Sequence, residues 1–184
     1  MKMRSVALWM AVACMTTGIG TRADEEKTSD PTLSAQRLLR DAGAVTFAHK
    51  KAYGAGIADM WLGYGEDGRP IVGVATRQTK TYAEALAVIA VTPNTNGYAV
   101  AAAEIPTVNG FHGKSKTLTL DALKNITGRV FKDGKEAHGL VDAVTGATQY
   151  YKAIYVSYAL MASKVIKELE ANPKWPRHAL SKAE

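Results

Sequence analysis

Residues 147–171 contain neither glycine nor proline. Within them Ile154, Tyr158, Met161, Val165 and Leu169 recur at steps of three and four, Tyr151 and Tyr155 extend the stripe, and Lys152, Lys164, Lys167 and Glu168 supply much of the polar side. That spacing predicts one long amphipathic helix, stopped by Asn172-Pro173. The other apolar runs are short and broken by turn residues. IADMWLGY (57–64) and IVGVATRQ (71–78) flank a Gly, Asp and Pro cluster at 65–70 and read as a β-hairpin. EALAVIAV (84–91) and YAVAAAEI (98–105) flank Thr92-Pro93-Asn94-Thr95-Asn96-Gly97 and read as a second hairpin, although their alanines leave a helix open for the first run.

The remaining segments are shorter. Asp30-Pro31 opens a helix to about Asp41, with Asp as cap and Pro at the first helical position, and Gly43 ends it. Residues 47–56 are a loop or an entering strand, 106–116 a polar loop, and 119–126 a short helix closed by Thr127-Gly128. Residues 131–138 are expected as a charged turn and 174–184 as a loose polar tail. Trp61 falls in a strand and is expected in the core. His49, His112, His138 and His178 show no metal-ligand spacing and are expected on the surface or in loops.

The N-terminus is a targeting segment. Lys2 and Arg4 precede Ser5–Gly20, an uncharged and mostly apolar run of 16 residues, and Thr21-Arg22-Ala23 ends in small residues before Asp24-Glu25-Glu26. This is a secretory signal cleaved after Ala23; the run is short of the roughly 20 residues of a spanning helix. Ala11-Val12-Ala13-Cys14 loosely fits a lipoprotein site, which would anchor the chain by lipid at Cys14. An uncleaved membrane anchor is the third alternative, opposed by Thr16, Thr17, Gly18 and Gly20. The expected organisation is signal peptide 1–23, leader and short helix 24–43, one domain 44–172 and polar tail 173–184, outside the cytoplasm in the periplasm or secreted.

Composition excludes several classes. With 184 residues, 47% hydrophobic and 22% charged, the chain is neither wholly disordered nor fibrous. A single cysteine rules out an internal disulfide and a cysteine-based zinc or iron–sulfur site. Removing residues 1–23 takes away Lys2, Arg4 and Arg22 and no acid, which lowers the formal charge from +6 to +3. No dense basic stripe with interleaved aromatics remains, so no nucleic-acid partner is expected. No Ser-His-Asp order, paired carboxylates or strand-linked Gly-x-Gly-x-x-Gly stands out, so no catalytic residue and no direct nicotinamide donor are assigned.

The segment that carries chemistry is Asp142-Ala143-Val144-Thr145-Gly146-Ala147-Thr148, directly before the long helix. A helix start exposes unpaired N–H groups and the positive end of the macrodipole, which favour a phosphate. Gly146 and Ala147 allow close approach, and Thr148 offers a hydroxyl. A Thr-Gly-Ala-Thr sequence is also an ordinary capping loop. The full segment resembles the signature of the FMN-binding domain family, found in the C subunit of the sodium-pumping NADH:quinone oxidoreductase and the G subunit of the Rnf complex. The family pattern is Asp, two variable residues, Ser or Thr, Gly, Ala, Thr, and every fixed position is matched here.

The resemblance implies an α+β fold: one domain, an antiparallel sheet of hairpins packed with helices, and a long C-terminal amphipathic helix. It implies FMN esterified through its phosphate to Thr148 by a separate magnesium-dependent flavin transferase, with Asp142, Val144, Thr145, Gly146 and Ala147 around the attachment site. The expected role is an extracytoplasmic electron-transfer flavoprotein, whose partner is a membrane or extracytoplasmic redox protein. The alternatives are a flavin-dependent reductase acting directly on a small substrate, and a secreted binding or scaffold domain with the motif unused. Gln149, Tyr150 and Tyr151 follow the anchor where the family often has small polar residues. Arg77, Gln78 and Thr79 stand where the family often has a Glu-Thr-Pro-Gly-like loop. Tyr150 and Tyr151 are therefore candidates for stacking on the flavin ring, and Arg77, Gln78 and Thr79 for polar contacts to it.

Overall fold

In a computed structural model of the chain, the described residues are 30–54, 56–80, 84–108, 123–143 and 149–180. In order they form α1 (Pro31–Asp41), β1 (Thr46–Gly54), β2 (Ile57–Tyr64), β3 (Pro70–Lys80), β4 (Glu84–Asn94) and β5 (Gly97–Val108). A helical turn at 123–126 (α2) follows. Then come β6 (Val130–Phe131), α3 (Gly134–Ala143), α4 (Gln149–Ala171) and β7 (Arg177–Ala179). The seven strands make one antiparallel sheet in the order β6-β5-β4-β3-β2-β1-β7. The architecture is α+β, as expected.

Strands β1 to β5 are a meander, each paired with the next, which short turns permit. The sheet is covered on both sides. On one face Ala35, Leu38 and Leu39 of α1 pack on Trp61, Val72, Val74, Val88 and Ala90. On the other, Tyr158, Met161, Ala162, Val165 and Leu169 of α4 pack on Met60, Leu62, Ala75, Ile89 and Val91. Side chains alternate between faces along a strand, so a central strand buried on both sides is apolar at nearly every position. This is why β2 reads IADMWLGY rather than as an apolar-polar alternation.

Local chemistry explains the boundaries. The Asp30 carboxylate accepts from the Thr32 N–H at 2.8 Å, and Pro31 opens α1. β5 carries two bulges. Val91 pairs with Val100 but Ala90 with Ala102, which leaves Ala101 as an extra, exposed residue. Leu86 pairs with Thr107 and Val88 with Glu104, so Ile105 and Pro106 together oppose Ala87. A bulge accommodates Pro106, which has no N–H to give to a ladder. At Gly73 the sheet and α4 come too close for a side chain: a Cβ there would overlap Val165 Cγ1 and lie 3.4 Å from Leu169 Cγ.

Residues 47–54 belong to strand β1, the strand of the two alternatives expected there. Two segments differ from the sequence expectation. The stretch 131–138 is not a charged turn: β6 leads into helix α3. Asp133 caps that helix by accepting from the N–H groups of Lys135 (2.9 Å) and Glu136 (2.8 Å), and Glu136 accepts from the Lys132 N–H at 2.6 Å. This reciprocal capping outweighs the poor helix propensity of Gly134 and Gly139. The tail is not loose through residue 180: β7 pairs with the edge strand β1 at Thr46–Ala179, Phe47–His178 and Ala48–Arg177. Arg177 also lies over the Tyr64 ring at 3.7 Å, a contact that polarity alone does not advertise.

We expect Gly73→Val to destabilise the fold by about 1–3 kcal/mol through overpacking, read from urea unfolding midpoints. Leu33→Ala, on an exposed position of α1, should stay within about 0.5 kcal/mol of wild type.

Candidate functional site

The Asp142–Thr148 segment joins α3 to α4. Asp142 lies in the last turn of α3, and Gln149, Tyr150 and Tyr151 are the first three residues of α4. Val144, Thr145, Gly146, Ala147 and Thr148 lie outside the described residues, as does His112. The two helices form an antiparallel hairpin: the Ser163 hydroxyl donates to the Gly134 carbonyl at 2.7 Å, locking the start of α3 to the middle of α4. α4 therefore begins immediately after Thr148, and its first N–H groups lack partners within the helix.

Contacts fix which side of the sheet this helix start approaches. Near the end of α4, Glu168 accepts from Tyr53 beside the β1–β2 turn. Val165 sits over Gly73 of β3. Two turns earlier, the buried Tyr158 hydroxyl donates to the Glu104 carbonyl of β5 at 2.5 Å, and Tyr155 meets Arg129, next to β5 and β6. The helix thus crosses the sheet from the β1–β2 side toward the β5–β6 side as it nears Gln149, about 14 Å beyond Tyr158 at 1.5 Å per residue.

The three polar candidates lie on β3, and they separate. Arg77 pairs with Ala87, and it is two residues beyond Ala75; both alanines belong to the cluster under α4. Arg77 is therefore on the α4 face. It is half-buried, and its guanidinium lies against the β1–β2 turn at Gly56, 3.3–3.4 Å from where a Cβ would stand on that glycine. Gly56 has φ +79°, so the turn is glycine's by conformation as well as by space. Gln78 is exposed, on the next rung and so on the opposite face. Thr79 pairs with Ala85 in the ladder.

Glu104, Asp59 and Glu168 are engaged elsewhere. Glu104 takes two hydrogen bonds from Arg37 of α1, at 2.7 and 2.5 Å, and this hydrogen bonding holds the Arg37 guanidinium above its usual range. Asp59 meets His49 Nε2 at 3.1 Å, and Glu168 accepts from the Tyr53 hydroxyl. Among the described residues Arg77 has no ion-pair partner. The helix start is braced from its third turn by Tyr158 and by Arg129, which donates to the Tyr155 hydroxyl at 2.6 Å.

His49 is not a surface residue. It is half-buried, and its ring stacks on Trp61 at 4.5 Å with the planes 8° apart. The signal was cross-strand pairing of His49 with Trp61, which needs the register. Trp61 is fully buried, as expected. His138 and His178 are exposed. No group of three or more His, Cys, Asp or Glu among the described residues could hold a metal ion, and no described helix is long and apolar enough to cross a membrane. A groove of about 770 Å³ between α3 and α4 is lined by Gly134, Lys135, His138, Ser163, Lys164 and Lys167, among others. It lies at the far end of the helical hairpin, about 27 Å along α4 from Gln149 to Lys167. Comparison with known proteins returns no match to this chain among protein-family models, curated proteins or solved structures.

Burial raises the Tyr158 hydroxyl above its ordinary pKa of 10.0, reinforced by the Glu104 charge. Burial likewise raises Tyr53, reinforced by its bond to Glu168. Above pH 10 the unfolded chain loses these protons while the fold retains them, so stability is constant below the unfolded value and falls as pH rises past it. Urea unfolding between pH 8 and 12 should show that decline, and Tyr158→Phe should make it shallower while costing about 1 kcal/mol at pH 7 for the lost hydrogen bond.

Proposed function

We propose that the chain is an extracytoplasmic electron carrier that holds FMN covalently, through a phosphate ester on Thr148. The observation that carries this is the seven-residue signature abutting the start of a 23-residue helix. Thr148 supplies the hydroxyl. The unpaired N–H groups at the start of α4 and the positive end of its dipole offset the phosphate charge. Gly146 and Ala147 keep the approach open to the phosphate and to the flavin transferase that delivers it. Asp142, six residues upstream, belongs to the recognition sequence.

The cofactor would supply reversible acceptance of electrons. The chain's contribution is to hold it and bias it. Arg77, a half-buried cation on the sheet face that α4 covers, has no ion-pair partner among the described residues, which suits a ligand that gains negative charge. Buried Tyr155 and Tyr158, through Arg129 and the Glu104 carbonyl, hold the second and third turns of α4 against the sheet, which a tethered group needs if its surroundings are to be defined. A covalent link has a further rationale outside the cytoplasm, where a dissociated flavin diffuses away from the pool that would replace it. Electrons would come from and go to another redox protein, in the membrane or beside it.

The test is co-expression of the chain with a flavin transferase, followed by intact mass measurement and in-gel flavin fluorescence after denaturation. Wild type should gain one FMN less one water and fluoresce, and Thr148→Val should do neither. An unmodified wild-type protein beside a flavinylated control substrate would make Thr148 a helix cap and remove the cofactor from this reading.

A further inference from the structure

We propose that the groove between α3 and α4 is a binding site for a ligand that carries a phosphate or a short chain of phosphates. The site goes beyond the reading of Thr148 and does not depend on it. The groove has a volume of about 770 Å³, inside the range of roughly 300–1,000 Å³ that small-molecule sites occupy. Two helical stripes wall it. Lys135, His138 and Gly139 come from α3, and Ser163, Lys164 and Lys167 from α4. Residues three and four apart share one side of a helix, so each wall is a single stripe. The backbone of α3 meets α4 closely at its start, where a Cβ on Gly134 would stand 2.9 Å from the Ser163 carbonyl oxygen. At Gly139 a Cβ would meet nothing within 4 Å. The helices thus touch at Gly134 and leave space beside Gly139.

The charge in this groove is predominantly positive. Lys135 and His138 on one wall stand opposite Lys164 and Lys167 on the other. Among the described residues none of the three lysines forms an ion pair. Two carboxylates also line the groove. Asp133 is engaged as the cap of α3, accepting from the Lys135 and Glu136 N–H groups. Glu170 stands at the end of the α4 stripe, near enough to Tyr98 of β5 that its charge adds to burial in raising that hydroxyl. Like charges facing one another across a groove repel, and low-dielectric walls focus their field into the space between. A bound anion removes that cost.

The residue types select the anion. Lysine is a compact charge with three rotatable donors, and it binds phosphate oxygens as a point charge. Planar carboxylates are matched best by the fork of an arginine, and no arginine lines the groove. The site is also separate from the flavin attachment point. Lys167 lies about 27 Å along α4 from Gln149, so filling the groove and modifying Thr148 are independent events.

The experiment titrates the full chain with inorganic pyrophosphate by calorimetry at pH 7, with citrate as a carboxylate anion of similar charge. Salt is held at about 0.15 M, where attraction between distant exposed charges is largely screened. Three variants accompany wild type. Lys164→Gln/Lys167→Gln takes the charge from one wall. Gly139→Leu keeps every charge and fills the space, and it replaces a poor helix former with a good one, so its melting temperature should not fall. Lys51→Gln/Arg69→Gln removes two exposed charges elsewhere, on β1 and in the β2–β3 turn. Wild type should bind one pyrophosphate, and citrate more weakly. The two groove variants should each bind pyrophosphate about tenfold or more weakly, and the control should match wild type. No binding to wild type overturns the proposal, as does citrate binding as tightly as pyrophosphate. Wild-type affinity in Gly139→Leu overturns it too, by reducing the effect to loose attraction between surface charges. If Gly139→Leu does not fold, the lysine variant against its control decides. Co-sedimentation with vesicles of equal parts phosphatidylcholine and phosphatidic acid then identifies the source of the phosphate. Vesicle binding that the groove variants lose makes it a lipid headgroup, and pyrophosphate binding without vesicle binding makes it a soluble molecule. Failure of wild type to gain FMN bears on Thr148 alone and leaves this site standing.

Discussion

Everything in this fold depends on covering a sheet that is apolar on both faces. Trp61, Val72, Val74 and Val88 point one way, while Met60, Leu62, Ala75 and Ile89 point the other. Each buried side chain of this size is worth about 1.5–3 kcal/mol only while water is kept away from it. One helix cannot do that for two faces. α1 therefore takes one and α4 the other, and Glu104 connects them across the sheet: its side chain binds Arg37 of α1, and its carbonyl accepts from Tyr158 of α4. The exposed half of that connection contributes little to stability, since solvent screens the Arg37–Glu104 pair. The buried half fixes the third turn of α4 in place.

Much of this was legible in the residues. The turn clusters at 65–70 and 92–97 located both hairpins, though β4 runs three residues and β5 one residue into the second cluster. Asp30-Pro31 marked the start of α1 to the residue. The stripe Tyr158, Met161, Val165 and Leu169 is the buried face of α4. What escaped was everything set by partners distant in sequence. α3 looked like a turn because its glycines lower local propensity and its cap lies in the Asp133–Glu136 pair. β7 looked like a tail because three exposed residues carry no periodicity; what holds them is the open edge of β1. His49 looked like a surface residue because its stacking partner is twelve positions away on the neighbouring strand.

The candidate site divides in the same manner. The residues that suggest its chemistry are local in sequence: an acid, a small pair and two hydroxyls ahead of a helix. Its surroundings are not local. Arg77, Gln78 and Thr79 are adjacent in sequence and equivalent in polarity, and only the ladder separates them, sending Gln78 to the opposite face from Arg77. Strand register alone says which face of the sheet each of them takes.

The order of the meander has a consequence for how the chain acquires this structure. β1 to β5 pair only with their neighbours in sequence, so most of the sheet can form from short-range contacts as residues become available, and such contacts favour rapid folding. α1, at the start, can seal its own face at once. The opposite face must wait for residues 149–171. In a chain that emerges N-terminus first, the slot at Gly73 stays empty until the last fifth of the sequence arrives. The closing event in folding is thus the docking of the very helix whose first turn follows Thr148, and any enzyme acting on that threonine meets either a sheet not yet closed or a hairpin already seated.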